Sequence, residues 1–183
     1  DGGAAIIKRE PRRIDLSAIA KGLGVDQIYT LLDDQGYANF LVEIGGEVRV
    51  KGDKDGLGWK IAVEKPIKGE RAVEQVLSLK NVALATSGDY RNYREIDGVA
   101  YSHTIDPSTG RPVTHQLASV TVADSECAMA DGWATTLLVL GPDKGYELAV
   151  SRKIPAMFIE RSGDTFIVKQ TPRFERLLAG EVE

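Results

Sequence analysis

Three groups of residues carry side chains able to do chemistry. Asp131 and Thr135 stand four apart in an apolar-periodic stretch that predicts a helix over Glu126–Leu140, so both fall on one face. A carboxylate and a hydroxyl stacked this way offer a hard cation two oxygen ligands, as magnesium prefers. The plain alternative is an exposed aspartate beside a threonine bonded back to its own helix. Asp15-Leu16-Ser17-Ala18-Ile19-Ala20-Lys21-Gly22 sets small residues at a helix start, where backbone amides and the helix dipole attract phosphate, with Lys21 one turn in. Read by itself, this is also an ordinary capped helix with a surface lysine. The third group is Leu84-Ala85-Thr86-Ser87-Gly88-Asp89-Tyr90 with Tyr101-Ser102-His103-Thr104-Ile105-Asp106-Pro107-Ser108-Thr109-Gly110. His103 titrates near neutrality and suits a general base, or else it is satisfied by a backbone carbonyl. Asp106 either orients that imidazole or holds a nucleotide. His115 follows a proline turn and reads as a surface residue.

The elements that must position these groups alternate between helix and strand. Ser17 is a candidate N-cap for a helix with apolar residues at Ile19, Leu23, Ile28, Leu31 and Leu32, stopped by Gly36. Phe40–Ile44 and Glu47–Val50, joined by Gly45-Gly46, read as a tight hairpin. Trp59–Val63 alternates as a half-buried strand, and Val76–Leu79 with Val82–Thr86 reads as a strand pair around Lys80-Asn81. The polar connection from Ser87 to Pro112 holds a short strand-like run, Tyr101–Ile105. Leu117–Ala123 is a strand, Gly141-Pro142 ends the Glu126–Leu140 helix, and a second helix follows over about Asp143–Ser151. Ala156–Ile159 and Phe166–Val168 flank the Ser162-Gly163-Asp164 turn as a closing hairpin. Strands and helices without strict βαβ order predict an α+β fold with mixed, largely antiparallel sheet and packed helices. No linker divides the chain, so residues 1–183 read as one domain.

Composition narrows the function classes. With 43% hydrophobic residues the chain can build a core, and a net charge of −4 with pI near 5.3 carries no footprint for nucleic acid. Cys127 is the single cysteine, which excludes an internal disulfide and any Cys-based metal spacing; it reads as a buried structural thiol. No apolar run reaches the roughly 20 residues of a membrane span. The opening Asp1-Gly2-Gly3 lacks a methionine and suggests a processed or truncated product.

Five segments in order resemble the ApbE-type FAD:protein FMN transferase family. They are Asp15–Gly22, Glu43-Ile44-Gly45-Gly46-Glu47, Ala85–Tyr90, Ser102-His103-Thr104-Ile105-Asp106-Pro107 and Ala130-Asp131-Gly132-Trp133-Ala134-Thr135. The resemblance implies a flavin transferase fold lacking its N-terminal portion. It implies magnesium held by the side chains of Asp131 and Thr135 with the Ala18 carbonyl. It also implies FAD as FMN donor, contacted by Asp15, Lys21, the backbone near Ile105, and Asp106. His103 matches the histidine that activates the acceptor hydroxyl. The implied partner is a bacterial redox-protein subunit whose Thr or Ser attacks the FMN-side phosphorus while AMP leaves. The implied location is the periplasmic face of the inner membrane, with any membrane anchor in the absent N-terminal region. Two other functions compete: an FAD pyrophosphatase using water at the same site, and a flavin-binding or scaffold fragment without turnover.

Overall fold

The structure is a computed structural model that describes residues 7, 9–11, 14–67, 69–89, 93–96, 99–102 and 104–180. Its centre is a six-stranded sheet in which every neighbouring pair is antiparallel. The strands are β1 (Phe40–Ile44), β2 (Glu47–Lys51), β5 (Val82–Gly88), β10 (Leu117–Asp124), β11 (Ala156–Ser162) and β12 (Thr165–Gln170), in that spatial order. β3 (Trp59–Glu64) and β4 (Val73–Leu79) form a separate ribbon. β6 (Tyr93–Ile96) pairs with β7 (Val99–Ser102), and β8 (Ile105–Asp106) with β9 (Arg111–Pro112). Helices α1 (Ala20–Asp34), α2 (Cys127–Leu140), α3 (Pro142–Ser151) and α4 (Pro172–Leu178) complete the described fold. The α+β expectation holds.

Period-two alternation divides the core between the two faces of this sheet. Ala85, Val120, Val122, Ala156 and Phe158 face one way, onto Ala130, Ala134, Leu137 and Leu138 of α2. Leu84, Ala123, Met157 and Ile159 face the other way, onto Val63, Leu77 and Leu79 of the ribbon and Phe174 of α4. The central strand β10 is therefore covered on both faces, and Leu117 through Ala123 are all buried.

Helix α1 lies along β2 through a ladder of three ion pairs. Lys21 meets Glu47, Asp26 meets Arg49 and Asp33 meets Lys51, so alternate residues of the strand, which share one face, each reach the helix. The Arg49 guanidinium also stacks 3.9 Å over the Tyr29 ring. Val25, Phe40, Val42, Ala83 and Cys127 make the small apolar core beneath.

Several expectations are corrected. Val82–Gly88 does not pair with Val73–Leu79: at Asn81, whose φ is +51°, the chain leaves the ribbon and enters the main sheet between β2 and β10. Ser17 does not cap α1, because its hydroxyl is donated back to Asp15. The helix also turns a different face inward. Gly22 and Val25 are its buried residues, while Leu23 and Leu31 are 48% and 57% exposed. Close approach to α2 decides this: a Cβ at Gly22 would stand 2.4 Å from the Cys127 carbonyl oxygen, so only glycine fits the crossing. Helix α4 went unanticipated, although Thr171-Pro172 marks its start; Thr171 Oγ1 accepts the Phe174 amide. The hairpins at Gly45-Gly46 and Gly163, the C-terminal limit of α2, and burial of Cys127 all stand as read, and α2 begins one residue late, at Cys127.

Candidate active site

A cleft of about 380 Å³ opens where the first turn of α1 meets the Gly45-Gly46 turn, the end of β5 and helix α2. Ser17, in the turn before α1, and Lys21 of α1 line it, with Thr86–Gly88 from β5 and Asp131, Thr135 and Leu138 from α2. Ala62–Glu64 and Thr104 complete the lining. Gly45 and Gly46 have φ of +61° and +104°, backbone that favours glycine, and the resulting tight hairpin brings bare main chain to the cleft.

Asp131 is buried at the cleft floor, and its Oδ2 accepts the Gly22 amide at 3.0 Å. An uninterrupted helix would donate that amide to the Ala18 carbonyl four residues back. Its diversion to Asp131 leaves the Ala18 carbonyl without that partner. Thr135 Oγ1 lies 2.9 Å from Ser87 Oγ, so the hydroxyl is held by β5 as well as by its own helix position. The crossing of α1 over α2 is anchored again at Asp26. Its carboxylate accepts the Cys127 and Ala128 amides, both at 2.9 Å, and the Arg49 guanidinium at 2.6 Å. Helix α2 has no cap from its own flanking residues, so a neighbouring helix supplies one.

Lys21 and Glu47 join at 2.5 Å across the cleft end of the ladder. The Glu47 side chain is 2% exposed, that of Lys21 46%. Burial pushes the Glu47 carboxyl up; the Lys21 ammonium opposes this and the nearby Asp131 carboxylate adds to it. Asp131 is likewise pushed up by burial, against the Gly22 amide and the Lys21 charge. Burial also raises the Cys127 thiol, to about 12, which makes it inert as a nucleophile at neutral pH.

The cleft thus gathers Lys21, Asp131 and Thr135, three of the residues singled out from the sequence. Asp15, Ala18, Ile105 and Asp106 do not line it, although Ser17 and Thr104, close to them in the chain, do. Asp15 accepts both the amide and the hydroxyl of Ser17, which holds its carboxyl below the usual range. Asp106 does the same with Ser108, whose hydroxyl and amide hold its carboxyl below the usual range, and its own carbonyl accepts the Gly110 amide in a local turn. Ile105 is half exposed in the short β8 strand. His103 lies outside the described residues. His115 is not the surface residue expected. It packs against Gly141, and both its ring nitrogens are buried without a hydrogen-bond partner among the described residues. Glu47 is a residue beside the site to which the sequence reading gave no role of its own, although it stands in the Glu43–Glu47 segment of the family pattern.

The donor set suits a hard cation. Among the described residues no cluster of three His, Cys, Asp or Glu exists. A buried carboxylate and a hydroxyl lining one cleft are oxygen donors of the kind magnesium takes alongside substrate phosphates.

Comparison with known proteins gives the family of the chain. A curated FAD:protein FMN transferase of Vibrio cholerae is 48% identical over 167 residues, which cover 91% of this chain and 50% of that protein. The apo form of Pseudomonas stutzeri flavinyl transferase ApbE superposes with a TM-score of 0.80 at 41% identity, covering 93% of this chain and 52% of that one. The flavin transferase ApbE from Vibrio cholerae gives 0.79 at 47% identity, covering 88% and 52%. The chain spans about half the length of the curated relatives it matches. The ApbE family model matches residues 2–158, and on these grounds the chain belongs to the ApbE family.

Proposed function

We propose that the protein carrying this chain transfers FMN from FAD to a Thr or Ser hydroxyl of an acceptor redox protein, releasing AMP, with magnesium at the cleft. The observation that carries the reading is the gathering of Lys21, Asp131 and Thr135 in one cleft at the α1–α2 crossing, in a chain 48% identical to an FAD:protein FMN transferase. The acceptor oxygen forms a bond to the FMN-side phosphorus as the bridging P–O bond to AMP breaks, and the hydroxyl proton passes to a base. Asp131, Thr135 and the Ala18 carbonyl would hold the magnesium, which neutralises phosphate charge when bound. Lys21 and the first turn of α1 bind and orient the pyrophosphate, the step from which such displacements draw most of their rate. The Gly45-Gly46 turn lets the nucleotide approach the main chain. His103 is the base in this reading, by its match to the family pattern, and Asp106 and Asp15 serve the nucleotide. The periplasmic face of the bacterial inner membrane is the site of action we propose with it.

Mass spectrometry of a Thr-bearing acceptor after incubation with FAD and magnesium tests the reading. An FMN adduct formed together with AMP supports it. AMP and FMN released without an adduct would favour the pyrophosphatase, and FAD binding without AMP would favour a flavin-binding scaffold.

A further inference from the structure

We infer that Glu47 is a positioning residue for Lys21, holding its ammonium at the cleft so that it meets a phosphate of the bound dinucleotide. The inference rests on the reading of the cleft as a nucleotide site and assigns a role to a residue outside the cleft lining.

The three rungs between α1 and β2 differ in polarity. In the two outer rungs the helix supplies the acid, Asp26 or Asp33, and the strand supplies the base, Arg49 or Lys51. At the cleft the order is reversed: the helix carries the cation and the strand the acid. Lys21 is the second residue of α1, where the dipole and the unpaired amides already make a positive end that disfavours a cation. Local stability therefore argues against lysine there, and an anionic ligand argues for it.

Glu47 is also poorly placed as a purely structural residue. It is almost wholly buried, its Oε1 is occupied by Lys21, and its Oε2 has no partner among the described residues. A buried carboxylate with one oxygen unpaired costs desolvation that an apolar or neutral side chain would avoid. What Glu47 accomplishes is a tether. It engages one of the three donors of the ammonium and leaves two for a ligand. The Gly45 turn lies over the pair: a Cβ there would be 3.3 Å from Lys21 Cδ and 3.8 Å from Glu47 Oε2. Glycine at that position keeps side-chain atoms off the tethered lysine on the cleft side.

A double-mutant cycle in the intact protein tests this, with FAD affinity from flavin fluorescence and thermal stability as paired readouts. Glu47→Gln should weaken FAD binding about tenfold, the loss of one charge-supported contact. Its melting temperature should stay unchanged or rise, because a buried charge is removed. Lys21→Ala should weaken FAD binding at least as much and lower the melting temperature, since it strands Glu47 unpaired. In the double variant FAD affinity should equal that of Lys21→Ala alone. Glu47→Met, which also removes the charge, should repeat the result and guards against a defect particular to glutamine. Losses that multiply in the double variant, or unaltered FAD affinity in Glu47→Gln while Lys21→Ala is impaired, would overturn the role of Glu47 and leave the nucleotide site standing. Unaltered affinity in Lys21→Ala would overturn both.

Discussion

Helix α2 buries Cys127, Ala130, Asp131, Ala134, Leu137 and Leu138, whereas α1, a residue longer, buries only Gly22 and Val25. The first is held by apolar packing on the sheet, where each fully buried leucine contributes roughly 2 kcal/mol. The second is held by polar links: three ion pairs to β2, the Gly22 amide on Asp131, and the Asp26 carboxylate on the end of α2. Packing tolerates small adjustments in direction, but hydrogen bonds and ion pairs demand particular distances and angles. The cleft therefore has a packed floor that places Asp131 and Thr135, and a polar-registered wall that brings Lys21 to face them.

The largest effect should come from the floor residue with the site role. Asp131→Ala should abolish magnesium-dependent AMP release while the far-ultraviolet dichroism is retained. Full activity at saturating magnesium would remove Asp131 from the metal set and leave the wall without a chemical counterpart.

Separating the two helices comes next. Gly22→Ala places a methyl 2.4 Å from the Cys127 carbonyl oxygen and 2.7 Å from the Ala128 Cα, both main-chain atoms that cannot yield alone. A loss of about 3 kcal/mol is expected in chemical denaturation. Gly24→Ala is the control two residues on, where the nearest atom is the flexible end of Ile44 at 3.2 Å. Helix propensity there should offset the crowding to within about 1 kcal/mol. Equal losses at both positions would mean that the crossing is not what demands glycine at Gly22.

Asp26→Ala removes the cap that α1 lends to α2 and frees Arg49. It should cost about 2 kcal/mol, and Asp26→Asn, which keeps one acceptor, visibly less. Denaturation midpoints compare them directly. An undiminished midpoint for the alanine variant would show that packing alone holds the pair.

The smallest effect concerns pH. Burial raises the Asp131 carboxyl in the folded protein, so its protonated form is favoured by folding. That contribution is fully present below the ordinary aspartate range and is lost as pH rises through the folded value. Without divalent ions, Asp131→Asn should therefore gain on the parent as pH increases toward neutrality. Magnesium binds the ionised parent and should reverse that order. Melting curves with and without magnesium report both signs, and an order indifferent to magnesium would count against the cation site independently of any activity.

Legibility followed sequence distance. Asp131 and Thr135 were readable as a pair because four residues of helix place them together wherever the helix packs. The Gly45-Gly46 hairpin was readable because positive φ at both residues is a property of the turn itself. Glu47 received no role of its own because its meaning lies in Lys21, 26 residues earlier, and nothing local relates the two. The pairing of Val82–Gly88 was misread for a similar reason: a short turn predicts a hairpin unless its backbone hands the strand to another sheet. His115 was judged by its neighbouring proline, while its burial depends on Gly141.

The sequence alone determined the kinds of elements, the residue types able to bind a cation or an anion, and the family pattern, because periodicity, turn chemistry and short motifs are local. The tertiary structure decided which of these meet. It turned Leu23 and Leu31 of α1 outward, diverted the Gly22 amide from Ala18 to Asp131, and set beneath the Gly45 turn a buried oxygen of Glu47 that has no partner among the described residues. Each outcome depends on how closely two helices and a strand can approach, a steric condition between segments distant in the chain.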